Sequence, residues 1–91
     1  MATLEEVLDD LTVGEAEETI YAAQPWTATS EALIALDESS DVPAGLAYML
    51  EVDLAIEAIE VWEQWRGRVA SVSDRCRAVI HYATHDAYLE V

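Results

Sequence analysis

The segment from Pro43 to Trp65 constrains the fold most, because apolar residues recur through it at helical spacing. At about 100° per residue, its polar side chains share one narrow stripe. They are Asp53, Glu57, Glu60 and Gln64. The other side is apolar and comprises Val52, Leu54, Ala58, Ile59, Val61, Trp62 and Trp65. A helix apolar over most of its circumference usually lies between other elements. The segment therefore predicts a long central helix, with Leu50, Leu54, Val61 and Trp62 buried.

The residues after Trp65 predict a second helix that folds back on the central one. Gly67 suits a left-handed helix C-cap, and Ser71 or Ser73 suits the N-cap of the next helix. This last helix would place Val72, Cys76, Val79, Ala83 and Ala87 on one face. Because a short turn joins the two helices, we expect a C-terminal antiparallel helical hairpin.

Three shorter helices are predicted before the central one, over residues 4–11, 13–23 and 30–36. Thr3 and Glu6 have the spacing of a capping box, and Thr12 and Glu15 repeat it. Pro25 ends the second helix, since the residue before a proline disfavours helical geometry. Thr29 or Ser30 would cap the third helix. The expected fold class is all-α: a compact bundle of four to five helices forming a single acidic domain over residues 1–91.

Composition narrows the setting in which the protein works. Apolar residues make up 53% of the chain, which excludes a disordered acidic tail. A single cysteine, Cys76, excludes an internal disulfide framework and fits a reducing compartment. The acidic N-terminal sequence lacks the basic and apolar regions of a secretory signal. No uncharged apolar run reaches the roughly 18–20 residues that span a bilayer. We expect a protein of the cytoplasm, which includes the cytoplasm of a host cell during phage infection.

Charge is distributed unevenly along the chain. Residues 1–65 carry sixteen acidic residues and no basic one, whereas residues 66–91 carry four arginines against three acids. Such acidity repels nucleic acid and anionic membranes and attracts basic partners. Adaptation to high salt also produces acidic chains without lysine, but it should act on every exposed face. The near-neutral final third argues against that explanation. The arginines, Arg66, Arg68, Arg75 and Arg77, either stabilise helix ends and neighbouring carboxylates or orient the molecule on a partner.

Catalytic and metal-binding patterns are weak. His81 and His85 lie four residues apart, as in zinc-binding helices, but the run "HYATH" lacks the glutamate of those enzymes. Cys76 falls on the other face of the same predicted helix and supplies no third ligand. The chain has no G-x-S-x-G sequence and no glycine-rich phosphate loop. We expect a non-enzyme without metal or cofactor.

Two short stretches resemble known families, although neither assigns the chain to one. "ATSEALIAL" resembles the start of the helix that carries the attachment serine in acyl carrier proteins. The Asp-Ser-Leu triplet of that family is replaced by Thr29, Ser30 and Glu31, so Ser30 is expected to be a helix N-cap. "LTVGEAEE" resembles the openings of small phage tail-assembly proteins.

The functional hypothesis follows from the spacing of the acids. Carboxylates at i, i+3 and i+4 on a helix lie about 5–6 Å apart, which is comparable to the interval between phosphates along one strand. Rows of this kind are predicted from Glu5, Asp9, Asp10, Glu15, Glu18, Asp53, Glu57 and Glu60. We therefore expect a non-enzymatic inhibitor that occupies a basic, nucleic-acid-handling protein surface by imitating nucleic acid. Some phage anti-CRISPR and anti-restriction proteins act in this way, and an immunity protein or antitoxin that covers a basic toxin active site would look the same from sequence. The protein itself would bind neither nucleic acid nor membranes.

The alternative hypothesis is a small phage assembly or chaperone-like protein that forms homo-oligomers. In that case Trp26, Trp62 and Trp65 would line a protein interface, where tryptophan is enriched. The same residues would otherwise belong to the core. The two hypotheses differ in their response to salt, because only a charge-driven contact weakens steeply with ionic strength.

Overall fold

A computed structural model of the chain describes residues 2–11, 17–35 and 42–88. In chain order the elements are β1 (Ala2–Thr3), α1 (Leu4–Asp9), β2 (Thr19–Ala22), β3 (Glu31–Ala35), β4 (Ala47–Glu51), α2 (Val52–Arg66) and α3 (Val72–His85). The described residues thus form a four-stranded sheet and three helices, so the predicted all-α bundle is wrong.

The sheet is antiparallel, with the strand order β1-β3-β2-β4. Ile20 of β2 pairs with Ile34 on one side and with Leu50 on the other, which makes a row of large apolar residues across three strands. The register between β2 and β4 then shifts, because Tyr21 pairs with Tyr48 and leaves Met49 as an extra residue. This β-bulge lets the consecutive residues Met49 and Leu50 both be buried, which regular alternation would not allow.

The three strands of four or five residues replace predicted helices. Thr19–Ala22 lies in the predicted second helix, whose residues 12–16 are outside the described part of the chain. The run Thr19, Ile20, Tyr21 is rich in β-branched and aromatic residues, which fit a pleated surface better than a helix. Glu31–Ala35 replaces the third helix, and Ala47–Glu51 replaces the first turns of the central helix.

Ser30 is not the helix N-cap that was predicted. Its hydroxyl donates to the Pro25 carbonyl at 3.2 Å and accepts from the Thr27 amide at 2.9 Å. Both partners lie upstream, so Ser30 stabilises the loop before β3 instead of the start of a helix. Burial of this side chain also removes the exposed attachment serine that a resemblance to carrier proteins would require.

Helix α1 begins as predicted and ends earlier. The capping box is present: Thr3 Oγ1 accepts from the Glu6 amide, and Glu6 Oε1 accepts from the Thr3 amide at 2.9 Å. The loop before β3 also supplies carbonyls to the first helical amides, from Ser30 to Leu4 at 2.8 Å and from Ala28 to Glu5 at 3.0 Å. These contacts join the start of α1 to the edge of the sheet.

The two C-terminal helices are present, joined by the short turn that the sequence predicts. Gly67 has a φ of 69°, the left-handed cap that ends α2. The carboxylate of Glu63 accepts from the Ala70 amide at 2.8 Å and holds the turn against α2. Ser71 then caps α3 through a capping box with Asp74. Helix α3 packs against both α1 and α2 and ends at His85, so Ala87 and Tyr88 are not helical.

One apolar core joins the sheet and the helices. Its fully buried large side chains include Leu4 and Leu8 of α1, Ile20 of β2, Val52 of α2 and Val79 of α3. Helix α2 contributes Val52, Ala55, Ala58, Ile59 and Trp62. Leu50 and Trp62 are buried as predicted, whereas Leu54 and Val61 are only partly buried. The face of α2 that enters the core is thus displaced from the predicted one and includes Ala55.

Candidate functional site

The predicted acidic residues of α1 lie on the surface. Glu5, Asp9 and Asp10 are exposed, and Asp10 is the C-cap residue of the helix. Glu6 is also exposed, but its carboxylate is engaged in the capping box, and the hydrogen bonds from Thr3 lower its pKa. Helix α1 therefore presents acids outward while its leucines enter the core.

The predicted stripe on α2 is exposed along its length. Asp53, Glu57 and Glu60 all face solvent, together with Gln64. Two of the three carboxylates are positioned by other groups: Asp53 Oδ1 accepts from the Leu54 amide at 2.8 Å, and Glu57 Oε1 accepts from the Tyr88 hydroxyl. That contact with a carboxylate raises the pKa of Tyr88 to about 12. The row is thus held in place, with Tyr88 fixed beside it.

The remaining two predicted residues precede β2. Glu15 lies outside the described residues. Glu18 is half-buried, and its backbone carbonyl accepts from the Val52 amide at 2.9 Å. This bond puts Glu18 beside the first turn of α2, which carries Asp53.

Arg75 lies between the end of α1 and the middle of α2. Leu11, Ile56, Ile59, Glu60, Glu63 and Arg75 line a cavity of about 160 Å³ between the end of α1 and the middle of α2. Arg75 Nη1 donates to the Leu8 carbonyl at 2.8 Å, so this arginine caps the C-terminal end of α1. Arg75 therefore links the end of α1 to the part of α2 that carries Glu60.

The other arginines mostly have structural contacts. The guanidiniums of Arg66 and Arg68 lie 4.8 and 4.9 Å from the ring centroid of the buried Trp62. Arg68 also pairs with Asp74 at 3.2 Å, and Arg77 is exposed on α3. Within residues 2–11, 17–35 and 42–88, Arg68–Asp74 is the one ion pair closer than 4.0 Å. The exposed rows on α1 and α2 thus have no arginine partner among those residues.

The three tryptophans have different surroundings. Trp62 belongs to the core, and Trp26 is partly buried and donates from Nε1 to the Ala22 carbonyl at 3.2 Å. Trp65 is 49% exposed. The sequence left open whether the tryptophans belong to the core or to an interface. Trp62 lies in the core, and Trp65 is a surface side chain.

Trp65, His81, Tyr82, Asp86, Ala87 and Tyr88 line a cleft of about 490 Å³, hereafter the aromatic cleft. Tyr88 meets Trp65 edge-on with ring centroids 6.3 Å apart, and it meets Tyr82 at 5.1 Å. Asp86 has a left-handed φ of 54° and turns the chain after α3, so that Tyr88 returns to α2. Sequence reasoning missed this cleft because it extended the last helix past Tyr88.

The two histidines and the cysteine considered as candidate ligands or nucleophiles all lie on α3. His81 and His85 are neighbours, with ring centroids 4.5 Å apart, but no group of three or more His, Cys, Asp or Glu side chains gathers there. Cys76 is buried, and desolvation raises the pKa of its thiol, as does the charge of Glu5. None of the described helices is long and apolar enough to cross a membrane.

Comparison with known proteins yields no relative. No protein-family model, curated protein or solved structure matches this chain.

Proposed function

We propose that this protein is a non-enzymatic inhibitor that imitates nucleic acid and occupies a basic, nucleic-acid-handling surface of a partner protein. The carrying observation is the exposed row of Asp53, Glu57 and Glu60 on α2, which has no arginine partner among the described residues. Carboxylates that form no ion pair with the described arginines stay available to an external basic surface. Such a protein would act in the cytoplasm, where its targets work.

The charge density of the row supports mimicry only in combination with α1. Residues 53 to 60 rise about 10.5 Å along the helix axis, which gives about one carboxylate per 5 Å. One nucleic-acid strand carries a phosphate per about 3.4 Å of helix axis. The α2 row alone is therefore more dilute than one strand. In this proposal the exposed acids of α1, Glu5, Asp9 and Asp10, supply further negative charge.

The proposal is tested by reversing the outer charges of the row. Asp53→Lys combined with Glu60→Lys should abolish capture of basic partners from a host lysate, while the fold stays intact because both positions are exposed. Glu57 is left unchanged because it holds Tyr88. The matched control is Glu17→Lys with Glu31→Lys, which changes net charge equally at exposed positions outside the row.

Wild-type capture should be lost on adding double-stranded DNA or raising salt, since both compete with charge-driven contacts. If the Asp53→Lys/Glu60→Lys protein retains its partners and DNA displaces nothing, electrostatic mimicry is the wrong mechanism. Equal loss in the control would show that net charge, not the row, drives capture.

The second candidate is a small assembly or chaperone-like protein, and the exposed Trp65 favours it. An exposed tryptophan is a common anchor of protein interfaces. In that case Trp65→Ser should disrupt oligomers or partner binding in a manner insensitive to salt, and the charge reversal should not.

A further inference from the structure

We propose that the aromatic cleft binds the guanidinium of an arginine side chain supplied by a protein partner. Three aromatic rings, Trp65, Tyr82 and Tyr88, line it. Tyr88 makes an interplanar angle of 82° with Trp65 and of 49° with Tyr82, so neither pair is stacked face to face. Ring faces attract cations because the π system is electron-rich, and tryptophan does so most strongly. Partial exposure leaves the rings accessible to such a ligand.

The same molecule already contains this chemistry one helical turn earlier. The guanidiniums of Arg66 and Arg68 lie over the ring of Trp62, at 4.8 and 4.9 Å from its centroid. Trp65 follows three residues later, and its closest ring contact is an aromatic edge rather than a cation. The arrangement at Trp62 is thus an internal example of the contact proposed for Trp65.

Charge at the cleft also favours a cation. Asp86 is exposed and lines it together with His81, and Glu57 accepts from the hydroxyl of Tyr88. A planar guanidinium can stack on one ring and donate to a carboxylate at its edge, which a compact ammonium group does less well. The cleft therefore fits arginine better than lysine.

This inference rests on the proposed function for its occupant, because a basic partner surface provides arginines. It adds a division of labour: the acidic rows attract the partner, and the aromatic cleft fixes one of its side chains. Long-range charge mainly speeds association, whereas a buried aromatic contact slows dissociation.

The test needs no partner. An acetylated and amidated Gly-Arg-Gly peptide is titrated into the full chain while the tryptophan indole N–H signals are followed by NMR, with Trp65→Phe identifying its own signal. The Trp65 signal should shift, while those of Trp26 and Trp62 should not. A citrulline peptide, in which an uncharged urea replaces the guanidinium, should bind at least about fivefold more weakly.

Two variants and one control locate the binding. Tyr88→Leu should weaken binding roughly five- to thirty-fold by removing a ring face. Asp86→Asn should weaken binding roughly two- to fivefold. Because asparagine tolerates the left-handed backbone at this position, this variant still tests the proposal if Tyr88→Leu fails to fold. Tyr48→Leu, which removes an exposed ring outside the cleft, should leave affinity unchanged.

Equal binding of the arginine and citrulline peptides would overturn the proposal. So would a loss in Asp53→Lys/Glu60→Lys as large as the loss in Tyr88→Leu, because binding would then be diffuse. That second result leaves the proposed function standing. Conversely, specific peptide binding combined with failure of the partner-capture experiment would support arginine binding in the cleft and contradict nucleic-acid mimicry.

Discussion

Asp74 collects three contacts on a single oxygen at the start of α3. Its Oδ2 accepts from the Ser71 amide at 3.1 Å, from the Ser71 hydroxyl at 2.8 Å and from Arg68 at 3.2 Å. The Ser71 hydrogen bonds, followed by the charge of Arg68, lower the pKa of Asp74 below its ordinary value of 3.8. This residue therefore links the start of α3 to the preceding turn through its ionised form.

The first prediction concerns acid stability. A carboxyl group whose pKa is lower in the folded state stabilises the fold above its unfolded pKa and loses that effect as pH falls through its folded pKa. Asp74→Asn should therefore lower the denaturation midpoint at pH 7. The gap from wild type should begin to close below about pH 5 and continue to close as pH falls through the ordinary pKa of 3.8 and below it. Glu60→Gln, which removes one exposed charge without a cap, is the control. A gap that persists at the acid end would contradict the assignment.

At the scale of elements, one long side chain reinforces the packing of α1 against α3. Arg75 reaches from α3 to the Leu8 carbonyl at the end of α1, sixty-seven residues away in sequence. Helix α1 is only six residues long and would not persist alone. Its stability must come from Leu4 and Leu8 in the core, from the loop before β3, and from this arginine.

The second prediction compares two arginines of the same helix. Arg75→Met keeps most of the apolar stem but leaves the Leu8 carbonyl without its charged donor. We expect a loss of about 1–2 kcal/mol in the free energy of unfolding. Arg77→Met removes the same charge from an exposed position and should change stability by less than about 0.5 kcal/mol. Urea denaturation measures both, and equal effects would show that net charge rather than the cap is responsible.

Local signals predicted the helices well and the strands poorly. The Thr3–Glu6 capping box indicates the start of a helix and Gly67 indicates the end of one, and both lie where the sequence predicts them. Residues 31–35 carry no such signal: alanine and leucine favour helix, yet pairing with β1 and β2 makes them a central strand. That outcome depends on contacts distant in sequence, which periodicity cannot show.

The candidate site divides in the same way. The exposure of Asp53, Glu57 and Glu60 follows from helical spacing alone, and it is correct. The aromatic cleft depends on the left-handed turn at Asp86, which brings Tyr88 back to Trp65 across the helix pair. Asp86, near the end of the helical pattern, was a usable signal for this turn, since aspartate tolerates the left-handed conformation. No spacing rule would have paired Tyr88 with Glu57.

For the whole molecule, the dominant quantity is a net charge of −15 within a radius of gyration of 12.2 Å. The Debye length is about 30 Å at 0.01 M salt, so every carboxylate then repels every other. At about 0.15 M it is near 8 Å, and only neighbours interact. The acidic rows therefore destabilise the fold that displays them, and most strongly in dilute buffer.

The third prediction follows from this self-repulsion. Raising NaCl from about 0.01 to about 0.15 M should increase Tm by several degrees, since about 1 kcal/mol corresponds to roughly 4–8 °C in a domain of this size. Glu17→Lys with Glu31→Lys, which reduces the net charge to −11, should show a smaller rise. The gain should be nearly complete by about 0.5 M, where screening is short-ranged. A Tm that keeps rising steeply into molar salt would favour adaptation to high salt instead.

The arginine-bearing turn between α2 and α3 also decides how this chain can be cut. Proteases that cleave after arginine or lysine find all their sites between Arg66 and Arg77. Arg66, Arg75 and Arg77 lie in helices, whereas Arg68 lies in the exposed turn, which is the kind of segment that proteases nick first. A cut there would divide the chain into residues 1–68 and 69–91. Because α3 packs against both α1 and α2, the two pieces would remain together, which makes this turn a natural point for splitting the protein into two complementary chains.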